Sequence, residues 1–104
     1  MKWINTTPHS ITEFTTGQIF PSDPNVQLRI TETFSLENLY DQVPMFKRQF
    51  GTLNVSPPMD LGNVIYIVSF LVKQACPQRA DFVSPGELVR DEKGVIQGCK
   101  GFIL

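Results

Sequence analysis

The chain has 104 residues, of which 41% are hydrophobic, and nine Lys plus Arg against ten Asp plus Glu give a formal net charge of -1 at pH 7. This length fits a single domain over residues 1–104, and the hydrophobic content excludes wholesale disorder. The near-neutral charge disfavours duplex nucleic acid as a partner, because duplex-binding domains carry a basic excess.

No segment favours a membrane or a metal. The longest apolar stretch, Val64 to Val72, is far shorter than the roughly 20 residues that span a bilayer, and no apolar signal-peptide core follows Met1. We therefore expect no membrane partner and a cytoplasmic location. Cys76 and Cys99 are interpreted as reduced thiols, and His9 is the one histidine, so we expect no metal and no cofactor.

The first third of the chain predicts short strands. Lys2 to Thr6 alternates and is rich in β-formers, and Ile11 to Phe14 follows after a Thr-Pro turn, so the two segments predict an N-terminal hairpin. Val26 to Thr33 alternates apolar and polar residues with a period of two, which predicts a half-buried strand.

The middle of the chain leaves two alternatives open. Ser35 to Val43 is either one helical turn with Ser35 as its N-cap or a loop between two strands of a meander. Pro44 to Gly51 is predicted to be extended, and Val55 to Asp60, with two consecutive prolines, is predicted to be a polyproline-like connector.

The last third gives the clearest pattern. Val64 to Val68 is apolar at successive positions, which is typical of a strand covered on both faces. Ser69 stands where this strand gives way to a short helix that Pro77 ends. Glu87–Arg90 and Val95–Gln97 predict a β-hairpin.

These elements together predict an α+β fold, a small and mostly antiparallel β-sheet with one short helix and a C-terminal β-hairpin. Ser84-Pro85-Gly86 is predicted to be a turn before the hairpin, and Gly94 is expected to supply a positive φ within it. The apolar ending Gly101-Phe102-Ile103-Leu104 either completes the sheet or docks on a neighbouring subunit, and we expect a homo-oligomer.

Several short motifs form a recognisable combination. The sequence begins with Asn-x-Thr-Pro-His, and its later half carries Val-Ser, Leu-Val-x-Gln-Ala, Pro-x-Arg, Ser-Pro-Gly, Val-Arg-Asp-x-x-Gly and Gly-Cys. This combination resembles a family of small uncharacterised proteins of tailed bacteriophages, prophages and bacteria. The match covers about the first ten and the last forty residues. The resemblance implies a phage or bacterial cytosolic context and no particular reaction.

The junction before the helix is the leading candidate for a ligand site. Helix N-termini favour anions, and Arg79 and Arg90 are expected to converge on Ser69 and contact a phosphate or carboxylate. Asp91, next to Arg90, completes the candidate set with His9. The alternative is structural, with Ser69 acting as a helix N-cap and the arginines forming ion pairs with Asp81 and Asp91.

A catalytic role would depend on His9, the one imidazole available as a general base. Cys99 beside Lys100 is a conceivable thiolate nucleophile. The alternatives are that His9 orders its turn and that Cys99 is a buried structural thiol.

Three functions follow from these patterns. The leading hypothesis is a non-enzymatic phage-type accessory protein that binds a small anionic, nucleotide-like ligand or a host protein, for instance as a counter-defence factor. The second is a structural or assembly protein of a virion or prophage module with interaction surfaces alone. The third is a small hydrolase or nuclease using His9.

Overall fold

The computed structural model describes residues 1–104 and contains eight strands and one helix. In chain order these are β1 (Lys2–Asn5), β2 (Ile11–Thr12), β3 (Ile19–Phe20), β4 (Ile30–Tyr40), β5 (Val43–Leu53), β6 (Val64–Ile67), α1 (Phe70–Ala75), β7 (Phe82–Arg90) and β8 (Ile96–Ile103). They form a four-stranded sheet and two separate two-stranded sheets.

The four-stranded sheet has the order β1-β6-β7-β8. Strand β6 is parallel to β1 on one side and to β7 on the other, whereas β7 and β8 are antiparallel. A parallel neighbour needs a crossover, and α1 provides it between β6 and β7. The helix therefore covers one face of the sheet.

Two apolar clusters lie on opposite faces of β6. Tyr66 and Val68 pack with Val72 of α1 on one face, and Ile67 packs with Phe20 on the other. Side chains alternate between the two faces of a strand, so a continuously apolar strand has to be covered on both. The buried strand predicted at Val64 to Val68 is confirmed.

The predicted α+β class is wrong, because the chain is mostly β, with 51% strand and 6% helix. Two causes explain the difference. The ambiguous middle segment pairs as a long antiparallel hairpin, and the helix is only the short crossover that joins two parallel strands. The central sheet is mixed, so the expectation of a mostly antiparallel sheet is also wrong there, because the β1–β6 and β6–β7 pairs are parallel.

Two further local predictions are corrected. The expected N-terminal hairpin does not form, since β1 pairs with β6 and β2 pairs with β3. The predicted turn at Ser84-Pro85-Gly86 lies within β7, where Ser84 pairs with Ile103 and Pro85 with Phe102. Both errors come from long-range pairing that overrides local turn propensity.

Other predictions are confirmed. Ser69 is the N-cap of α1, where its hydroxyl accepts a hydrogen bond from the Val72 amide at 3.2 Å. The C-terminal hairpin forms, and Gly94 in its turn has a φ of 80°. Of the two alternatives left open for the apolar ending, the one observed is that it joins the sheet, because β8 continues to Ile103.

Strands β4 and β5 form a separate hairpin, here called the arm (Ile30–Leu53). A two-residue turn at Asp41 and Gln42, with φ values of 51° and 69°, joins the strands, as in the primed turns that match strand twist. The radius of gyration is 16.2 Å, against about 13 Å for a compact domain of this length. The arm accounts for this excess because every residue from 33 to 52 is exposed.

Glu13 joins the two ends of the chain. Its carboxylate accepts hydrogen bonds from the Gly101 amide, from the Thr15 and Thr16 amides and from the Thr16 hydroxyl, each at 2.8 Å. These bonds favour the ionised form, the bond from Gly101 most strongly, and lower the pKa of the Glu13 carboxyl from 4.5 to about 2.

Replacing Glu13 with glutamine is expected to remove a pH-dependent part of the stability. The folded pKa is depressed, so the stabilisation is complete above pH 4.5 and is lost as the pH falls towards 2. Urea unfolding should show Glu13→Gln less stable than the wild type at pH 7, with the gap narrowing by pH 3. Asp81 is present in both proteins and cancels from the comparison. A gap that stays constant with pH would contradict this role.

Candidate functional site

The Ser69 side chain has a structural role in the fold. Its hydroxyl caps a helix of only six residues, and the same residue's carbonyl accepts the Lys73 amide at 3.0 Å. A helix this short contributes little dipole to an external anion.

Arg79 is occupied by protein partners. Its Nε and Nη2 donate to the two carboxylate oxygens of Asp81, both at 2.8 Å, and Nη2 also donates to the Pro57 carbonyl at 2.9 Å. The guanidinium carbon lies 4.3 Å from the centre of the Phe82 ring. Hydrogen bonds from Arg79 lower the pKa of the Asp81 carboxyl, whose side chain is fully buried. This arrangement ties the connector before β6 to the start of β7.

Arg90 and Asp91 belong to the turn of the C-terminal hairpin. Arg90 Nη1 donates to the Gly94 carbonyl at 3.0 Å, and Asp91 Oδ1 accepts the amides of Lys93 and Val95. Both residues are exposed. Their contacts give them a clear role in fixing the turn.

The structure does not bring Ser69, Arg79 and Arg90 together. The Val68 amide bonds to the Val83 carbonyl, so Ser69 lies level with the start of β7, and Arg90 is about 20 Å further along that strand. Arg79 follows the opposite end of α1 from Ser69. The expected convergence on one anion is therefore absent from this geometry.

His9 lies at a different place, on a cavity that Cys99 also lines. The cavity has a volume of about 350 Å³ and is also lined by Leu88 and Ile96. Cys99 is completely buried, and burial raises the pKa of its thiol, which is the opposite of what an activated nucleophile needs. The His9 backbone carbonyl accepts the Asn5 side-chain amide at 2.9 Å, so this residue also orders the turn after β1.

The chain contains no group of three His, Cys, Asp or Glu side chains placed to hold a metal ion. Helix α1 is too short to cross a membrane, and the chain has no other helix.

The arm presents the most unusual surface of the molecule. Cross-strand partners share a face, and faces alternate along each strand, so the register of β4 and β5 sorts the side chains into two sets. One set is apolar and is here called the apolar arm face; its members are Phe34, Leu36, Leu39, Phe46 and Phe50. The opposite face, here called the polar arm face, carries Thr33, Ser35, Lys47 and Gln49 along the base and middle of the arm, and Tyr40, Val43 and Met45 at its tip.

A β-bulge preserves the apolar arm face over the length of the hairpin. Leu36 pairs with Phe46 and Asn38 with Met45, so Glu37 is an extra residue on β4. If residues 36–39 alternated regularly, with no bulge, Leu39 would fall on the other face. Phe34, Leu36 and Phe46 remain about 60% exposed, at 58%, 60% and 58%. An isolated hairpin with one apolar face is only marginally stable in water.

Charged groups at the base of the apolar arm face are already paired. Arg48 Nε lies 3.0 Å from Glu32 Oε2, and its guanidinium carbon lies 5.8 Å from the Phe50 ring centre. Arg48 Nη1 also donates to Gln74 Oε1 at 3.3 Å. Since Arg48 shares a face with Phe34, this bond places α1 on the apolar side of the arm.

The sequence interpretation missed this surface, although a signal was present. Phe34 and Leu36 alternate with Thr33 and Ser35 in the manner of a strand. Glu37 interrupts the alternation because it is the bulge residue. The two alternatives considered for this segment, a helical turn and a loop, are therefore both wrong. The turn at Asp41-Gln42 lacks the Asn-Gly or Asp-Gly pair that usually marks such a hairpin.

Comparisons with protein-family models, with curated proteins and with solved structures found no match to this chain. Its function therefore has to be inferred from its own geometry and chemistry.

Removing Arg79 is expected to destabilise the fold. Arg79→Ala leaves the Asp81 carboxylate buried without its partner, which costs about 3 kcal/mol of unfolding free energy. Arg90→Ala is the matched control, because it removes an exposed guanidinium and should change stability by at most about 0.5 kcal/mol. Urea unfolding at pH 7 measures both values. Similar small losses in the two variants would show that the Arg79 pair is not a structural tie.

Proposed function

We propose that this chain is a non-enzymatic assembly protein that acts by holding protein subunits together through its arm. The observation that carries the proposal is the apolar arm face, a contiguous strip of five large apolar side chains that the rest of the chain leaves uncovered. Large exposed apolar patches on folded proteins mark interaction sites.

The fold supports this function because the part that forms the core is separate from the part that presents the apolar surface. The four-stranded sheet and α1 hold the core, whereas residues 33–52 contribute no buried side chain. Residues that contribute no buried side chain and expose aromatic rings gain little stabilisation from hydrophobic burial in water. Contact with another protein would supply that burial and would also order a hairpin that is marginal alone.

For the setting of this activity, we propose the one that the resemblance to small phage and prophage proteins implies. In the proposed setting, the chain is a structural component of a virion or prophage module and works in the cytosol of the host cell. The arm would be its contact with neighbouring subunits.

Capture of a nucleotide-like anion has less support than assembly. That hypothesis, and the counter-defence role built on it, needs Arg79 and Arg90 to be free and close to Ser69. Instead, the donors of Arg79 bond to Asp81 and Pro57, and Arg90 bonds within its own hairpin turn.

Hydrolysis by His9 also has less support. Its cavity holds no carboxylate among its lining residues, and the thiol that also lines it is a buried group whose pKa is raised. A general base needs a reactive partner within reach, and this cavity does not provide an activated one.

Site-specific crosslinking tests the assembly function. Phe46 is replaced by the photo-crosslinking residue p-benzoylphenylalanine, and the cells in which the protein is made are irradiated. We expect a discrete adduct, because position 46 lies at the centre of the apolar arm face. The matched control carries the same residue in place of Gln49, on the polar arm face, and should give much less adduct. Equal yields at both positions, or no adduct at position 46, would refute the proposal.

A further inference from the structure

We infer that the partner covering the apolar arm face is the arm of a second copy of this chain, packed face to face across a two-fold axis. This inference rests on the proposed function and names its partner. In such an isologous interface the same patch serves both copies, so the surface has to be complementary to itself.

The size of the surface fits this partner. The five side chains of the apolar arm face are 38% to 60% exposed, and at about 200 Å² each they offer about 500 Å² of apolar area. A stable interface of standard size buries about 800 Å² on each partner, and homodimer interfaces are about 65% apolar. Two apolar arm faces therefore provide the apolar area that a homodimer of standard size needs.

The charged groups of the apolar arm face are also compatible with a second copy as the partner. On the apolar arm face the charged groups are Glu32 and Arg48, which neutralise each other within one copy. The surface thus offers no unpaired charge that would select an oppositely charged partner. The whole chain carries a formal charge of only -1, so two copies repel each other weakly.

The position of α1 decides the relative direction of the two arms. The helix stands on the apolar side of the arm at its base, where Gln74 bonds to Arg48. Parallel arms would bring the two helices into the same space, whereas antiparallel arms place each tip near the partner's helix. Phe70 is four residues before Gln74, so it lies on the same side of α1, and it is largely exposed. It would extend the apolar surface at the point where the partner's tip arrives.

The antiparallel arrangement predicts how far apart equivalent residues of the two copies lie. The two-fold axis passes near Leu36, at the middle of the arm, so the two Leu36 side chains lie close to each other. Because Glu37 is a bulge residue, Leu39 lies two ladder positions nearer the tip, so the two Leu39 side chains are separated by about 13 Å along the arms.

Sedimentation equilibrium of the purified full chain, over about 1 to 200 µM, is the first test. We expect a reversible dimer at twice the chain mass of 11.8 kDa. Leu36→Asp should weaken dimerisation at least about 100-fold, because it places two like charges in the dry centre of the interface. Ser35→Asp is the matched control, with the same charge one residue away on the polar arm face, and should leave the dimer intact. Circular dichroism confirms that both variants keep the wild-type strand content.

Two outcomes of that test would overturn the inference: a wild-type chain that stays monomeric throughout, or equal weakening by Leu36→Asp and Ser35→Asp. If the purified chain is monomeric but position 46 still forms an adduct in cells with a different protein, self-pairing is refuted and the assembly function survives. If position 46 also forms no adduct, both fail.

Cysteine crosslinking tests the arrangement without disrupting the interface. The native Cys76 and Cys99 are buried, so a short bifunctional maleimide should react with an introduced exposed cysteine in preference. Leu36→Cys is expected to give a covalent dimer in high yield, and Leu39→Cys is expected to give little. High yields from both Leu36→Cys and Leu39→Cys would show parallel arms, and a low yield from Leu36→Cys would also contradict the antiparallel pairing.

Discussion

The burial of β6 on both faces is the constraint on which the rest of the structure depends. Ile67 and Val68 are successive residues with no exposed surface, so each face of this strand requires its own cover. Helix α1 and Leu28 cover one face, and Phe20 with its aromatic neighbours Trp3 and Phe102 covers the other. Strand β6 pairs in parallel with both β1 and β7, and parallel strands are typically covered on both faces.

Polar ties hold the covering elements in place around this strand. Arg79 and Asp81 join the connector before β6 to the start of β7, and Glu13 joins the N-terminal turn to the last strand. From the sequence, Arg79 was a candidate for ligand binding and Glu13 had no evident role. In the structure, both side chains form hydrogen bonds with other groups of the protein. The arm differs, because its apolar side chains remain exposed.

The sequence predicted the elements whose signals are local. A continuous apolar run gave β6, Ser69 gave the helix start, and the glycine in Asp91-Glu92-Lys93-Gly94 gave the hairpin turn. It failed where partners are distant in the chain. Nothing in Lys2 to Asn5 indicates that β1 pairs with residues 64–67, and the convergence of Arg79 and Arg90 was expected from nearness in sequence alone. The arm was missed because a bulge at Glu37 broke its alternation, although that bulge is what keeps the apolar face continuous.

The central claim is that the apolar face of a free-standing arm is covered by a second copy of the chain. Hydrogen exchange followed by mass spectrometry, at a low and a high protein concentration, tests it most directly. The account predicts that amides of residues 33–46 exchange more slowly at the high concentration, because pairing orders a marginal hairpin, while amides of residues 64–68 do not change. Arm amides that exchange at the same rate at both concentrations would contradict it.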